Sequence, residues 1–181
     1  MTVSIDVLPD IPPDLIADVK AFLRLTHDQD DAALSEMLRS GVLLCENFTR
    51  QLLIARTVRE ILPVRNIWQR LSQLPVQVIG AAEDLASDGN ATEVPVEDYA
   101  VDIDSEAYGW IRLQADAGLS RLRVTYVAGL ADEWEDVPSS LRQGIVRMAG
   151  HLYANRDDQE AEGPPHAVAA LWQPHRRIRI C

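Results

Sequence analysis

Apolar residues recur along this chain with two different spacings, and the switches between them divide it. Leu15, Val19, Phe22 and Leu23 fall on one helical stripe, with Asp14 placed to cap it after Pro12–Pro13. Leu34, Leu38, Gly41, Cys45 and Phe48 form a longer stripe flanked by Met37 and Leu44, behind Asp30 or Asp31 as cap. Gly41 costs a helix about 1 kcal/mol relative to alanine, and on the apolar side it predicts close approach of another helix. From Ile54 the spacing shortens to two. Residues 54–62, ended by Pro63, then 75–79, 99–104, 110–113 and 122–127 read as strands, with turn signals at Asp88-Gly89-Asn90, Ala117-Gly118 and Ala128-Gly129. Glycine at 129 is expected to permit a backbone reversal. After four carboxylates (Asp132, Glu133, Glu135, Asp136) and Pro138 the helical spacing returns. Leu141, Ile145, Met148, Ala149 and Leu152 share one stripe, with Arg156 suited to the negative end of the helix. An acidic loop from Asp157 to Gly163 follows. Ala167, Val168, Leu171 and Trp172 then make a short helix that Pro174 is expected to stop.

The pattern predicts one α+β domain. A helical core of about four helices spans 13–53 and 138–173, with Leu34, Leu38, Phe48, Leu141, Ile145 and Leu152 largely buried. An antiparallel β region of about four to six strands is inserted at 54–130. Residues 1–12 read as an extended arm and 174–181 as a tail.

Composition narrows the class. The 181 residues are 47% hydrophobic, enough for a packed core. No apolar run reaches bilayer-spanning length and the start of the chain is acidic, so a cytoplasmic protein without a membrane partner is expected. Two distant cysteines, Cys45 and Cys181, disfavour a disulfide framework or a zinc site. The net charge is −11 and uneven. Between Arg70 and Arg112 there is no basic residue, while Glu83, Asp84, Asp88, Glu93, Glu97, Asp98, Asp102, Asp104 and Glu106 accumulate. Such a segment repels phosphate and argues against a static nucleic-acid clamp. Arg176, Arg177 and Arg179 are the counterweight at the far end.

Reaction chemistry is sparse. Asp102-x-Asp104-x-Glu106 lacks the glycine and the closing carboxylate of a calcium loop. His27, His151, His166 and His175 form no metal-binding spacing. Ser120 does not complete a nucleophile elbow, since Leu122 stands where glycine is needed. The four tryptophans lack basic interleaving in sequence and read as core or interface anchors. Neither a catalytic constellation nor a cofactor is predicted. A small enzyme whose site assembles only in the fold, and a monomeric binding module, stand as alternatives.

Two stretches resemble the head–tail connector (adaptor) proteins of long-tailed phages and phage-derived gene transfer agents. Residues 19–53 are similar to the family's helix pair, in Leu23-Arg24-Leu25, Asp30-Asp31, Leu34 and Glu46-Asn47-Phe48-Thr49. Residues 124–156 are similar to its strand, Ala-Gly turn, Val-Pro helix start and Leu-Tyr-x-Asn-Arg helix end. Gly41 and Cys45 depart from the usual alanine and larger apolar residue. The resemblance implies a structural subunit that forms a ring of about twelve copies beneath a portal protein, above a downstream neck, stopper or tail protein. DNA would pass through without specific binding. The place of action would be the bacterial cytoplasm during assembly, then the neck of a phage or phage-like particle. The acidic segment would face the channel or solvent. In the tail, Ile178 and Ile180 alternate with Arg177 and Arg179, a strand with one apolar and one basic face. It could pair with this subunit's own sheet or, as the family implies, carry Arg176, Arg177, Ile178, Arg179 and Ile180 to the portal. Deletion of 175–181 is then expected to leave the fold nearly intact.

Overall fold

A computed structural model of the chain describes residues 2–86, 89–114, 118–155 and 163–177. Asp88, Ala117, Arg156, most of the acidic loop after it, and Ile178, Arg179, Ile180 and Cys181 lie outside the described residues. The fold is α+β, in two compact units: Met1–Leu8 with Ile54–Asp132, and Pro9–Leu53 with Glu133–Cys181.

The first unit is built on strands. They are β1 (Thr2–Ile5), β2 (Arg56–Leu62), β3 (Gln69–Arg70), β4 (Val76–Leu85), β5 (Ala91–Glu93), β6 (Tyr99–Ile103), β7 (Gly109–Leu113) and β8 (Leu122–Ala128). A five-stranded antiparallel sheet has the order β1-β2-β8-β4-β5, and a three-stranded one the order β3-β7-β6. The expected strands form, and β8 lies at the centre of the larger sheet. Its alternation places Leu122, Val124, Tyr126 and Ala128 in the core. Residues 2–5 depart from expectation. They are not a free arm but an edge strand on β2, with Thr2 opposite Ile61. Strand β4 runs ten residues where sequence shows five, because its ladder on β8 shifts register at Val76/Val78 and again at Ile79/Ala82. Each shift breaks the period of two. Strands β3 and β5 are too short to carry any period.

Gly129 ends β8 for a reason other than a reversed backbone. Its φ is not positive, unlike those of Gly89, Gly118 and Gly163. It touches the neighbouring backbone instead: an added Cβ would lie 2.3 Å from both Cα and N of Ala55.

The second unit contains α1 (Pro13–Leu23), α2 (Asp31–Thr49), α3 (Ser139–Ala154) and α4 (His166–Trp172). Helix α3 is the one the other three pack on. Gly41 of α2 lies against Ile145 and Met148. The Trp172 ring of α4 occupies the space of a Gly144 side chain, with its Nε1 2.1 Å from where a Cβ would stand. Phe22 of α1 covers Gly150 in the same way. Leu34, Leu38, Leu141 and Ile145 are fully buried. Phe48 and Leu152 are half-buried rather than buried; Leu152 falls in the last turn of α3. The cap of α1 is Pro12 rather than Asp14, with Pro13 in the first turn. Helix α4 ends at Trp172, two residues before Pro174, as expected. Pro174 itself continues the turn. It sits early in a 3-10 turn, Gln173–His175, where its missing N–H costs nothing. No helix among the described residues is long and apolar enough to cross a membrane.

Candidate functional site

The two stretches that carry the family resemblance meet in the helical unit. Asp30 accepts a hydrogen bond of 2.6 Å from the Tyr153 hydroxyl, tying the acidic pair ahead of α2 to the end of α3. Asp31 accepts from Lys20 at 2.9 Å, and Lys20 also holds Asp28. The loop between α1 and α2 is thus fastened by side chains from both flanks.

The Glu46-Asn47-Phe48-Thr49 end of α2 forms a seat. Arg50 adopts the left-handed conformation and its N–H returns to the Glu46 carbonyl at 2.7 Å, which closes the helix. The Glu46 carboxylate accepts from the Leu53 N–H at 2.9 Å, and Thr49 Oγ1 donates to the Cys45 carbonyl at 2.7 Å. The chain emerging from α4 settles on this end. Arg177 donates its N–H to the Thr49 carbonyl at 2.9 Å, and its side chain reaches Gln51 Oε1 at 3.4 Å. The Gln51 amide in turn donates to the His175 carbonyl. His175 Nε2 lies 2.8 Å from Ser140 Oγ. The Arg176 guanidinium stands 5.4 Å over the Phe48 ring, which also tilts against Trp172. Phe48 is half-buried because it is shared between the core and this seat. Of the five tail residues singled out from sequence, Arg176 and Arg177 are thereby anchored on the subunit's own helices. Gln51 and Ser140, which help to hold them, carried no signal in the sequence, and Thr49 stood out only through the family resemblance, since the partners of all three are distant in the chain.

The acidic residues between 83 and 106 divide into two groups. Some fasten the β unit. Glu83 meets Arg123 through two hydrogen bonds of 2.8 and 3.0 Å. Asp84 accepts from the N–H groups of Ser120 and Arg121 at 2.8 and 3.3 Å. Asp104 accepts from the N–H groups of Glu106 and Tyr108 and from Trp110 Nε1. The others stay available: Glu93, Glu97, Asp102 and Glu106 are exposed, Asp98 is half-buried, and none of these side chains makes an ion pair among the described residues. The run free of basic residues is thus not free of basic neighbours, because β8 brings Arg123 alongside Glu83.

Hydrogen bonding to Arg123, opposed by partial burial, holds the Glu83 carboxyl below its ordinary value of 4.5. The folded value lies below the unfolded one, so the stabilisation is complete above about pH 4.5 and fades as pH falls through the folded value. Glu83→Gln is expected to cost under about 1 kcal/mol at neutral pH and to flatten the acid side of the stability profile. Urea midpoints between about pH 3 and 7 check this; an unchanged acid limb would assign the dependence to other carboxylates.

Strand pairing also corrects the reading of the tryptophans. Arg112 lies 5.1 Å over the Trp68 ring and Arg70 lies 5.0 Å over Tyr108. Basic and aromatic side chains therefore do interleave in the small sheet, brought together by β3 and β7 rather than by sequence order. Trp172 and Trp134 are buried.

Two further groups have chemistry in principle and none in place. Burial, with Glu46 adding, raises the Cys45 thiol far above its ordinary value, which keeps it a neutral core residue. Glu60 is fully buried in the β unit, and its Oε2 accepts from the Ser72 N–H and hydroxyl and from the Tyr126 hydroxyl at 2.8–3.0 Å. Burial, then the Glu60 charge, raises the Tyr126 hydroxyl well above its usual range. With Glu60 and Tyr126 buried and Ser72 half-buried, this cluster pins the 71–74 loop to the sheet. No group of three or more potential metal ligands occurs among the described residues.

Against known proteins, no family model and no curated sequence matches the chain. Solved structures do. The chain superposes over 100% of its length on 98% of a chain from the neck of an empty GTA (gene transfer agent) particle computed with C6 symmetry, with a TM-score of 0.79 and 26% identity. It covers 97% of a chain from the neck of a native GTA particle computed with C12 symmetry, with 98% of its own length, a TM-score of 0.71 and 25% identity. A chain from the virion of a native gene transfer agent particle shares the fold at a TM-score of 0.75 and 24% identity, over 100% of this chain and 98% of that one. Beyond the two stretches of sequence, likeness to chains of gene transfer agent particle necks thus extends over nearly the whole chain.

Proposed function

We propose that this chain is a structural head–tail connector subunit, one that forms a ring beneath the portal of a phage-like particle and continues the DNA channel toward the tail. The observation that carries this reading is the end-to-end likeness, at 26% identity, to a chain from a gene transfer agent particle neck. The C6 and C12 symmetries of the related necks support a cyclic assembly of this chain. Its partners are then the portal above, a downstream neck, stopper or tail protein below, and identical copies on either side. It acts without catalysis, and it meets its partners in the bacterial cytoplasm as the particle is built. The exposed carboxylates suit a conduit, because phosphate contacts would hold DNA that has to slide. Five acidic side chains without ion pairs among the described residues, Glu93, Glu97, Asp98, Asp102 and Glu106, serve that purpose if they face the channel.

Negative-stain imaging of the chain mixed with its portal tests the proposal. A ring of added density coaxial with the portal is the expected result. A chain that stays monomeric and unbound with portal in excess would remove the connector reading.

A further inference from the structure

A closed ring requires each copy to present two different surfaces that fit one another, because head-to-tail contacts are heterologous. Two surfaces of this chain have complementary chemistry. The first is a groove of about 630 Å³ in the helical unit, between α1 and the N-terminal half of α3. Its apolar part is Phe22, 53% exposed although it packs on Gly150, together with half-buried Val146. Its polar part is dominated by Arg142 and Arg147. Neither guanidinium has a hydrogen bond or ion pair among the described residues, not even with Asp18 in the same groove. Helix α3 also begins just after Pro138 without a side-chain cap, and its first N–H groups, at Ser139 and Ser140, donate no hydrogen bond among the described residues. An apolar floor flanked by free cationic and N–H donors fits a side chain pair of one apolar residue and one carboxylate.

The second surface is a knob in the β unit. Val96 is 71% exposed at the start of a 3-10 turn, Val96–Asp98, that follows Pro95. Glu97 beside it and Glu93 three residues before it are exposed and make no ion pair among the described residues. Other exposed apolar residues fit less well. Val7 is more exposed, but the carboxylates near it are taken, Asp6 by Arg59 and Asp10 by Arg39. Val101 and Ile103 flank Asp102 in β6, where the strand period sends the carboxylate to the opposite face.

We propose that the groove of Phe22, Val146, Arg142 and Arg147 receives the Val96–Glu97 knob of a second copy of this chain. This rests on the connector reading and specifies which surfaces close its ring. Val96 meets Phe22 and Val146, while Glu97, with Glu93 behind it, meets Arg142 and Arg147. A subunit carrying net charge −11 gains attraction where like charge would otherwise keep copies apart.

Charge exchange tests this with the full chain, on its own and on the portal. Two variants, R142E/R147E and E93R/E97R, are each expected to keep the wild-type melting midpoint. Each is expected to self-associate at least about tenfold more weakly by sedimentation and to form no ring on the portal. Mixed in equal amounts they should recover, since copies alternating around a ring then meet reversed groove with reversed knob at one contact and native groove with native knob at the next, opposite charges at both. If a reversed variant does not fold, disulfide trapping replaces it. V96C/V146C in a Cys181→Ser background should give a ladder of crosslinked oligomers under mild oxidation, and each single-cysteine chain at most a dimer. Variants that associate as wild type, or a mixture that fails to recover, overturn the assignment while the ring reading stands. Loss of duplex DNA binding by R142E/R147E with self-association unchanged also overturns it, by making the groove a phosphate site. A wild-type chain that never associates, even with portal present, overturns both.

Discussion

Replacing Gly129 by alanine is expected to unfold the β unit or come close to it. The added methyl would be centred 2.3 Å from two backbone atoms of Ala55 and 2.6 Å from the Ile54 carbonyl carbon. Flexible side chains can yield to such a contact, but backbone atoms held in register cannot. Ala55 donates its N–H to the Ala131 carbonyl at 2.8 Å, and Gly129 donates its own to the Pro75 carbonyl at 2.9 Å. Relief on one side therefore strains a hydrogen bond on the other. Overpacking typically costs about 1–3 kcal/mol and more where nothing can move, so a loss of at least about 3 kcal/mol is expected. Because φ at Gly129 is not reversed, the cost is one of space, and larger residues should be worse than alanine. Urea denaturation checks it: an unchanged midpoint would mean that the Ile54–Ala55 segment can back away.

That glycine marks how far the sequence was legible. Ala128-Gly129 could be read as the end of a strand, since alternation from Leu122 to Val127 stops there, but the reason lay in a neighbour seventy-odd positions earlier in the chain. The same holds elsewhere. The helices could be located because each carries a stripe of its own: Leu141, Ile145 and Met148 reveal α3 without knowledge of what covers them. The central strand β8 could be read for the same reason. Strands β3 and β5, of two and three residues, have no period to detect. Strand β1 looked like an arm because Val3 and Ile5, in a segment that runs on into Pro9, Pro12 and Pro13, do not announce the β2 edge they pair with. For the site, Asp30, Tyr153 and the Glu46–Thr49 helix end were picked out through the family resemblance. The contacts that explain them, Tyr153 on Asp30 and Arg177 on Thr49, span more than a hundred residues. The acidic run shows the limit most clearly: its nine carboxylates look alike in sequence, and only strand pairing separates Glu83, bound by Arg123, from the exposed Glu97.

Truncation after Arg177 is expected to leave the melting midpoint unchanged and to abolish attachment to the portal, whereas truncation after Pro174 is expected to damage the subunit itself. The seat at the end of α2 makes the difference. Residues 175–177 hold Thr49, Gln51 and Ser140 and cover Phe48. Gln51 and Thr49 are themselves buried. Removing His175, Arg176 and Arg177 leaves the Thr49 carbonyl and the Gln51 amide without these partners, at about 1–3 kcal/mol for each group left unsatisfied. Deletion of all of 175–181 is thus expected to lower stability, where the sequence alone suggested a nearly intact fold. Residues 178–181 are a different matter. The alternation of Ile178 and Ile180 with Arg179 suits a strand added to a partner's sheet edge, with main-chain hydrogen bonds for affinity and apolar pockets and carboxylates for selectivity. A seat that fixes Arg177 would start such a strand from a defined point and reduce the entropy lost on docking. Melting curves of both truncated chains, alongside pull-down on the portal, separate the roles. If the chain ending at Arg177 attaches as well as the full chain, the last four residues are not the link. If it fails to fold, those residues complete a sheet of this subunit, and the attachment to the portal has to be sought on its helices.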